Sequence, residues 1–593
     1  MRAVSVVKLA VSIIANTAVL ALLLALVVGA ALGAWQLLPE ASRVAITRPA
    51  ETLAAAQRGV QSGPTNPIAG LSRWLMEWLA ERRDLVDVVR TADGTDGGIA
   101  PLPAWTSVDS RRVFGVTETL WQSRRARLAG ARWSRVVFYW ADIQPRSSRE
   151  WRAGYYLRDD LIERERRNGI EVVGLLMNTP AWAAARPADG VRSVPAGLSL
   201  PVDDPRNHWA TFVRKMASSY KGRIDTWIIW NEPDIRPGGP NAMYYSWAGD
   251  ERDYALLLKT AYLAARQANP GARIVFAGTT YWADANAGQP LFLERALAVL
   301  ASDPDARAHG FYFDAVALNL YTSPDDLVRV AGVYREVLGR YGLHAPLWLT
   351  ETNAVPYDDP TKGLRREPNG LRVTMDEQAS FVVQAFAMAL AAGYERVAFH
   401  AMADRDTQDE LWGLVRNDGS LRPAFVAYQT ATRYLGGAER AAFVPLPRRE
   451  WRWAPGGYHP NWQIYLVVVE RAAGTPWPQP TPVAGTQPTP APTATSPADP
   501  RGRQRVSVVW NGDPQPLDVL LPRLSERAAL IDKYGRLRPL EPDGDRWRLT
   551  LPGATAHSPL DPDGYYFIGG DPLLLVEESV PDGAPVTPPV IAS

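Results

Sequence analysis

Cysteine is absent from all 593 residues, so the chain can form no disulfide, thiolate metal site or iron–sulfur cluster and has no cysteine nucleophile. Histidine is sparse. The six present (His208, His309, His344, His400, His459 and His557) never fall at HxxxH or similar spacing, which removes the usual sequence signature of a zinc site. An excess of one charge is missing too: 64 basic residues balance 63 acidic ones, leaving no net field to attract nucleic acid or another polyanion. Lysine is scarce, at six of those 64, and the arginine bias carries no functional reading of its own. With 46% hydrophobic and 21% charged residues the chain is not disordered throughout, and its length, several times the ~100–200 residues of one domain, predicts at least two domains. Tryptophan, by contrast, is plentiful at 22.

Near the start, Leu9 to Ala34 is 26 residues without a charge, preceded by Arg2 and Lys8. At ~1.5 Å rise per residue such a helix exceeds a ~30 Å hydrocarbon layer. A cleaved signal peptide is the rival reading, with small residues at Ala31-Leu32-Gly33, but its apolar region is usually only ~7–15 residues. The favoured reading is a transmembrane signal anchor over residues 1–35, with Arg2 and Lys8 cytoplasmic and everything after Trp35 outside. Residues 36–105 read as a stalk or linker containing one amphipathic helix, Ile68 to Val89, which can equally pack on its own protein.

From 106 to 435 short β-branched and aromatic runs alternate with helical stretches, the pattern of repeated β/α units. Eight strands are expected: Val113–Val116, Ser134–Tyr139, Glu171–Met177, Thr226–Trp230, Arg273–Ala277, Ala315–Leu320, Leu347–Thr350 and Arg396–His400. Eight units predict an α/β fold, a (β/α)8 TIM barrel. A doubly wound open sheet is the alternative, but no GxGxxG or GxxxxGK[ST] turn follows any of these strands. Residues 436–578 change to alternating strands with DG, NG and PG turns, predicting a C-terminal β-sandwich. Its strands are Trp462–Val469, Val506–Trp510, Leu517–Leu521, Ala528–Asp532, Trp547–Leu551, Tyr565–Ile568 and Leu573–Glu577. Within it Thr475 to Pro500 holds 15 Pro or Thr among 26 residues, an insertion too poor in apolar side chains to build a core. Residues 579–593 read as a flexible tail.

Glu232, in TWIIWNEPD, ends the fourth expected strand, and Glu351, in LWLTETNA, ends the seventh. In a β/α barrel the C-terminal strand ends converge on one mouth, so two carboxyl groups far apart in sequence can share a cleft. Acetal hydrolysis needs such a pair: one protonated, to give its proton to the departing oxygen, the other ionised, to attack or stabilise an oxocarbenium-like carbon. A retaining enzyme holds them ~5–5.5 Å apart and an inverting one ~6.5–9.5 Å. For either glutamate alone, a helix cap or an arginine partner is the ordinary alternative. Aromatic side chains at the mouth suit sugar C–H faces, and Trp140, Trp182 and Trp282 all follow expected strand ends, with His400 and Trp412 placed similarly at the eighth.

Trp230-Asn231-Glu232-Pro233 on strand four with Thr350-Glu351 on strand seven resembles the retaining glycosidases of clan A. The RVVFYWADIQP and FDAVALNLY stretches and the trailing sandwich make glycoside hydrolase family 39 the most similar, with family 5 next; the resemblance covers about residues 110–575. It implies Glu232 as general acid then base, Glu351 as nucleophile, Asn231 on the sugar 2-hydroxyl, and Arg135 and Tyr321 supporting the nucleophile. The physics agrees, because Glu351 needs such donors to stay ionised, and Glu232, further from cations, is expected to hold its proton. Two positions depart from the pattern: Asn319 stands where many relatives carry His, and His400-Ala401-Met402 where the clan often has a tryptophan.

The resulting expectation is a membrane-anchored, extracytoplasmic retaining glycoside hydrolase acting on a polysaccharide or oligosaccharide, with no metal or organic cofactor implied and no nucleic-acid partner. A non-catalytic carbohydrate-binding scaffold and a transglycosylase are the alternatives. The sandwich is expected to buttress the barrel.

Overall fold

The computed structural model describes residues 105–592 except 111, 153–158, 239–241, 362–371, 406–410, 455–456, 473–501 and 558–565. The expected anchor, the helix Ile68 to Val89 and the Pro/Thr-rich insertion lie outside the described residues. Among the described residues no helix is long and apolar enough to cross a membrane.

Eight parallel strands close into a barrel: β1 Phe114–Val116, β2 Trp133–Tyr139, β3 Glu171–Met177, β4 Thr226–Asn231, β5 Arg273–Thr279, β6 Ala315–Asn319, β7 Leu347–Thr352 and β8 Arg396–Phe399, which pairs back onto β1. Each corresponds to an expected strand. A helix follows every one of them, ending with Met375–Ala391 after β7 and Pro423–Leu435 after β8. Helix starts are written locally: Asp250 and Thr374 each accept from a backbone N–H of the first turn, and Asp253 and Glu377 reach back to complete capping boxes.

Period-two alternation aims Trp133, Val137, Val173, Leu175, Ile228, Val275, Trp348 and Ala398 into the barrel, where they form a packed plug rather than a pore. Gly115 makes room for it, since a Cβ there would stand 2.4 Å from the Trp133 ring. At the N-terminal floor Arg396 lies 4.5 Å over the Trp348 ring and binds both oxygens of Glu171 at 2.8 and 2.9 Å. With the floor closed in this way, the C-terminal mouth is left for chemistry.

The sandwich strands are β9 Ala438–Phe443, β10 Leu446–Ala454, β11 Gly457–Arg471, β12 Arg503–Asn511, β13 Leu517–Pro522, β14 Ala528–Asp532, β15 Arg546–Leu551 and β16 Leu573–Val580. The larger antiparallel sheet runs β9, β11, β12, β16, β14, with β10 folded along β11. The smaller one joins β15 to β13. Ile464, Leu466, Val468, Val509 and Leu575 face Val519, Leu521, Trp547, Leu549 and Leu551 of the smaller sheet. The intervening Val467, Val469, Val506, Val508, Leu574 and Val576 belong to the barrel's core. Both faces of the larger sheet are therefore dry, which is why β11 and β12 read as nearly unbroken apolar runs.

Three expectations need correcting. Thr106–Ser107, assigned to the barrel, pairs with β9 as an edge of the larger sheet. Tyr566–Ile568, within the strand Tyr565–Ile568 expected in the sandwich, pairs among the described residues only with Ala556–His557, in a separate ribbon. The tail expected to be flexible instead sets Val590–Ile591 against β13, satisfying an edge that would otherwise be unpaired.

Candidate active site

The strand ends at the mouth depart from regular pleating, and this brings the polar groups together. Trp230 and Glu232 both take left-handed backbone, with φ of 71° and 46°. The break turns the Trp230 ring outward, 4.8 Å from Trp247, and leaves Asn231 and Glu232 facing the barrel mouth. Between β6 and β7 the register shifts after Leu318↔Leu349 so that Asn319 pairs with Glu351, a bulge that lets Thr350 and Glu351 both reach inward. Such strain costs on the order of 1–3 kcal/mol per residue and is held by the surrounding sheet.

Glu351 is buried and surrounded by donors. The Arg135 guanidinium pairs with its Oε1, the Tyr321 hydroxyl donates to its Oε2, and His400 Nδ1 lies 3.9 Å from Oε2. His400 shares a 2.9 Å hydrogen bond with the Thr117 hydroxyl. Glu232 has a different environment: Asn319 Nδ2 donates to its Oε1 at 2.9 Å, and no cation pairs with it among the described residues. Asn319 is itself oriented by the Thr350 hydroxyl, which donates to its Oδ1 at 2.7 Å. Asn231 Oδ1 accepts from Asn319 at 3.2 Å and from Arg135 at 3.4 Å, so one continuous network joins the two carboxyls. Gly278 permits it, since a Cβ there would stand 2.7 Å from Asn319 Oδ1.

These surroundings drive the two acids apart. Burial and then the Glu351 charge push Glu232 up to about 8, only partly offset by the Asn319 hydrogen bond. Burial acts upward on Glu351 as well, but Arg135, His400 and the Tyr321 hydrogen bond outweigh it and hold that carboxyl below its usual range. At neutral pH the arrangement presents one proton donor and one anion.

Seven of the ten expected residues therefore meet here: Asn231, Arg135, Tyr321, Asn319 and His400 lie in one network with Glu232 and Glu351 at its centre. The tryptophans do not join it in the expected way. Trp140 is fully buried, stacked on Phe212 at 5.0 Å and hydrogen-bonded to Gln144, because the chain turns at once into the short helix Trp140–Ile143 and directs the ring into the core. It cannot meet a sugar. Trp182 is half-buried, with its indole N–H donating to the Gln144 carbonyl at 2.6 Å. Trp282 is half-buried between Tyr281 and the Arg329 guanidinium. The aromatic that reaches the network is Trp412, 5.0 Å from the Tyr321 ring and 5.6 Å from His400. Its loop is fixed by buried Arg422, which binds Asp404, Asp359 and the Gly413 carbonyl. Thr117 was not legible from the sequence, since a lone threonine beside a strand end carries no signal, and Thr350 was read only as part of the Thr350-Glu351 pair, not as the group that orients Asn319.

No family model matches the sequence, and no curated protein matches it. Solved structures do. A family 39 glycoside hydrolase from the gut symbiont Bacteroides cellulosilyticus superposes with a TM-score of 0.51 at 15% identity, covering 80% of this chain and 82% of that one. The chain shares that protein's fold. A family 30 subfamily 8 xylanase from Clostridium acetobutylicum aligns at 13% identity over 79% of this chain and 97% of its own, TM-score 0.46. A monomeric β-xylosidase from Caulobacter crescentus aligns at 14% over 80% and 97%, TM-score 0.43.

Proposed function

We propose that this chain is a retaining glycoside hydrolase that cleaves O-glycosidic bonds of a poly- or oligosaccharide, with Glu351 as nucleophile and Glu232 as acid and then base. The observation that carries the reading is the unequal treatment of two linked carboxyls: guanidinium, phenol and imidazole around Glu351, a single amide on Glu232. Glu351 attacks the anomeric carbon as Glu232 gives its proton to the departing oxygen, leaving a glycosyl ester on Glu351. Glu232, now ionised, takes a proton from water; the resulting hydroxide equivalent attacks the same carbon and frees Glu351, with net retention. Asn231 is the group offered to the sugar 2-hydroxyl, and Trp412 gives the ring an apolar wall. The uncharged run Leu9 to Ala34 supports an extracytoplasmic, membrane-tethered setting, and hence a secreted or surface glycan as substrate.

The test is hydrolysis of a panel of aryl glycosides, a xyloside included, and of several exopolysaccharides by the wild type and by Glu351→Gln. Turnover by the wild type that falls at least about 10³-fold in the variant supports the proposal. Equal low rates for both mean a carbohydrate-binding scaffold instead.

A further inference from the structure

Directly behind Glu232 lies a second carboxylate that the catalytic scheme does not use. Asp234 is 1% exposed. Its Oδ2 accepts from both the backbone N–H of Thr280 at 2.7 Å and the Thr280 hydroxyl at 2.8 Å, in the loop that follows β5. Its Oδ1 has no hydrogen-bond partner among the described residues. Two residues earlier the Glu232 backbone N–H donates to the Gly278 carbonyl at 2.8 Å, so the turn Glu232-Pro233-Asp234 is fastened to the end of β5 at two points.

The charged groups around Asp234 leave it uncompensated. From its own loop Arg236 turns to Asp284, at 3.5 Å. Asp284, beyond Thr280, also takes Arg295 from the helix Phe292–Leu300 at 3.0 Å. From the helix Asp326–Arg340 the buried Tyr334 hydroxyl goes to Thr279. Asp284, Tyr334 and Glu232 all interact electrostatically with Asp234, and among the described residues no arginine is bound to its oxygens. A purely structural clamp to Thr280 would be served as well by a neutral acceptor. Burial pushes Asp234 up to about 6, yet where Glu232 titrates, at about 8, it still stands ionised with one oxygen unpaired, a buried charge directly behind that carboxyl.

We propose that Asp234 is a positioning residue for Glu232: it pins the left-handed turn onto Thr280 so that the Glu232 carboxyl meets Asn319, and it sets a fixed negative charge behind that carboxyl. This rests on the glycosidase reading for its purpose, though not for its physics. Asp234 lies too deep to touch substrate and acts only through Glu232, by making the loss of the Glu232 proton harder.

The experiment is a ¹³C NMR titration of the full chain labelled at glutamate and aspartate side-chain carboxyls, with Glu232→Gln and Asp234→Asn supplying the assignments. In Asp234→Asn, which keeps an acceptor for Thr280, the Glu232 midpoint is expected to fall by on the order of one pH unit, and the basic limb of activity to move down with it. Asp234→Ser, a smaller neutral acceptor, gives the same shift should the amide fail to fold. Asp234, at about 6, titrates below the Glu232 midpoint and so beside a neutral Glu232, and Glu232→Gln is expected to leave the Asp234 midpoint unmoved. An unmoved Glu232 midpoint in a folded Asp234 variant overturns the inference. Because the titration needs no turnover, a chain that hydrolyses no glycoside sinks the proposed function and leaves this result standing.

Discussion

At Glu351 the desolvation that favours a neutral carboxyl meets a guanidinium, an imidazole and a phenol and loses; at Glu232 the same desolvation meets one amide and the Glu351 charge and wins. The consequence for pH follows from which form works. Glu232 acts as acid only while protonated, so turnover falls as pH rises through its elevated pKa, about 8. Glu351 acts only while ionised, so turnover falls as pH drops through its depressed one. A kcat/KM profile is expected to be bell-shaped, with the basic limb near pH 8 and lost in Glu232→Gln, whose rate on an unactivated glycoside drops ~10²–10⁴-fold. A basic limb that persists in Glu232→Gln assigns the titration to some other group. Glu232 and Glu351 were legible in the sequence because each stands at a strand end beside a recognisable dipeptide. The distinction between them was legible only in outline, since Arg135, Tyr321 and His400 come from three other strands and their distances are products of closure.

Elements explain which aromatic residues serve the mouth. Position after a strand end does not decide whether a ring faces the cleft; the first turn of the following segment does. After β2 the chain enters a helical turn at once and buries Trp140 beneath the helix His208–Ser219. Trp140→Ala is therefore expected to cost about 3–5 kcal/mol of stability, read by denaturant unfolding, while KM stays at its wild-type value. A KM rise without loss of stability contradicts this placement. After β8 the loop instead folds back and delivers Trp412 to Tyr321. All eight barrel strands could be found from β-branched and aromatic runs because a parallel strand is buried on both faces and its pattern is continuous. Two-residue strands such as Thr106–Ser107 and Val590–Ile591 are invisible to such a pattern, being edges recruited by a sheet formed elsewhere in the chain.

For the molecule from Thr106 onward, barrel and sandwich share a core. The inner face of the larger sheet packs on the helix Met375–Ala391, and buried Lys533 reaches across to Asp376 at 2.7 Å and Ser380 at 3.0 Å. Gln384 likewise donates to the Gly570 carbonyl at 2.8 Å. The helix Met375–Ala391, apolar on nearly every side, has no solvent-facing surface to offer if the sheet is removed. Truncation after Gly436 is thus expected to give an aggregating product, and calorimetry of the chain a single transition for barrel and sandwich; a soluble, active barrel from that truncation contradicts the shared core. The glutamate pair itself is tested most directly by covalent trapping. After incubation with a panel of 2-deoxy-2-fluoro glycosides bearing good leaving groups, peptide mapping by mass spectrometry should find one sugar per chain, esterified to Glu351 and absent from Glu351→Gln. A stable adduct on any other residue contradicts the assignment, as does glycoside turnover that continues at the wild-type rate in Glu351→Gln.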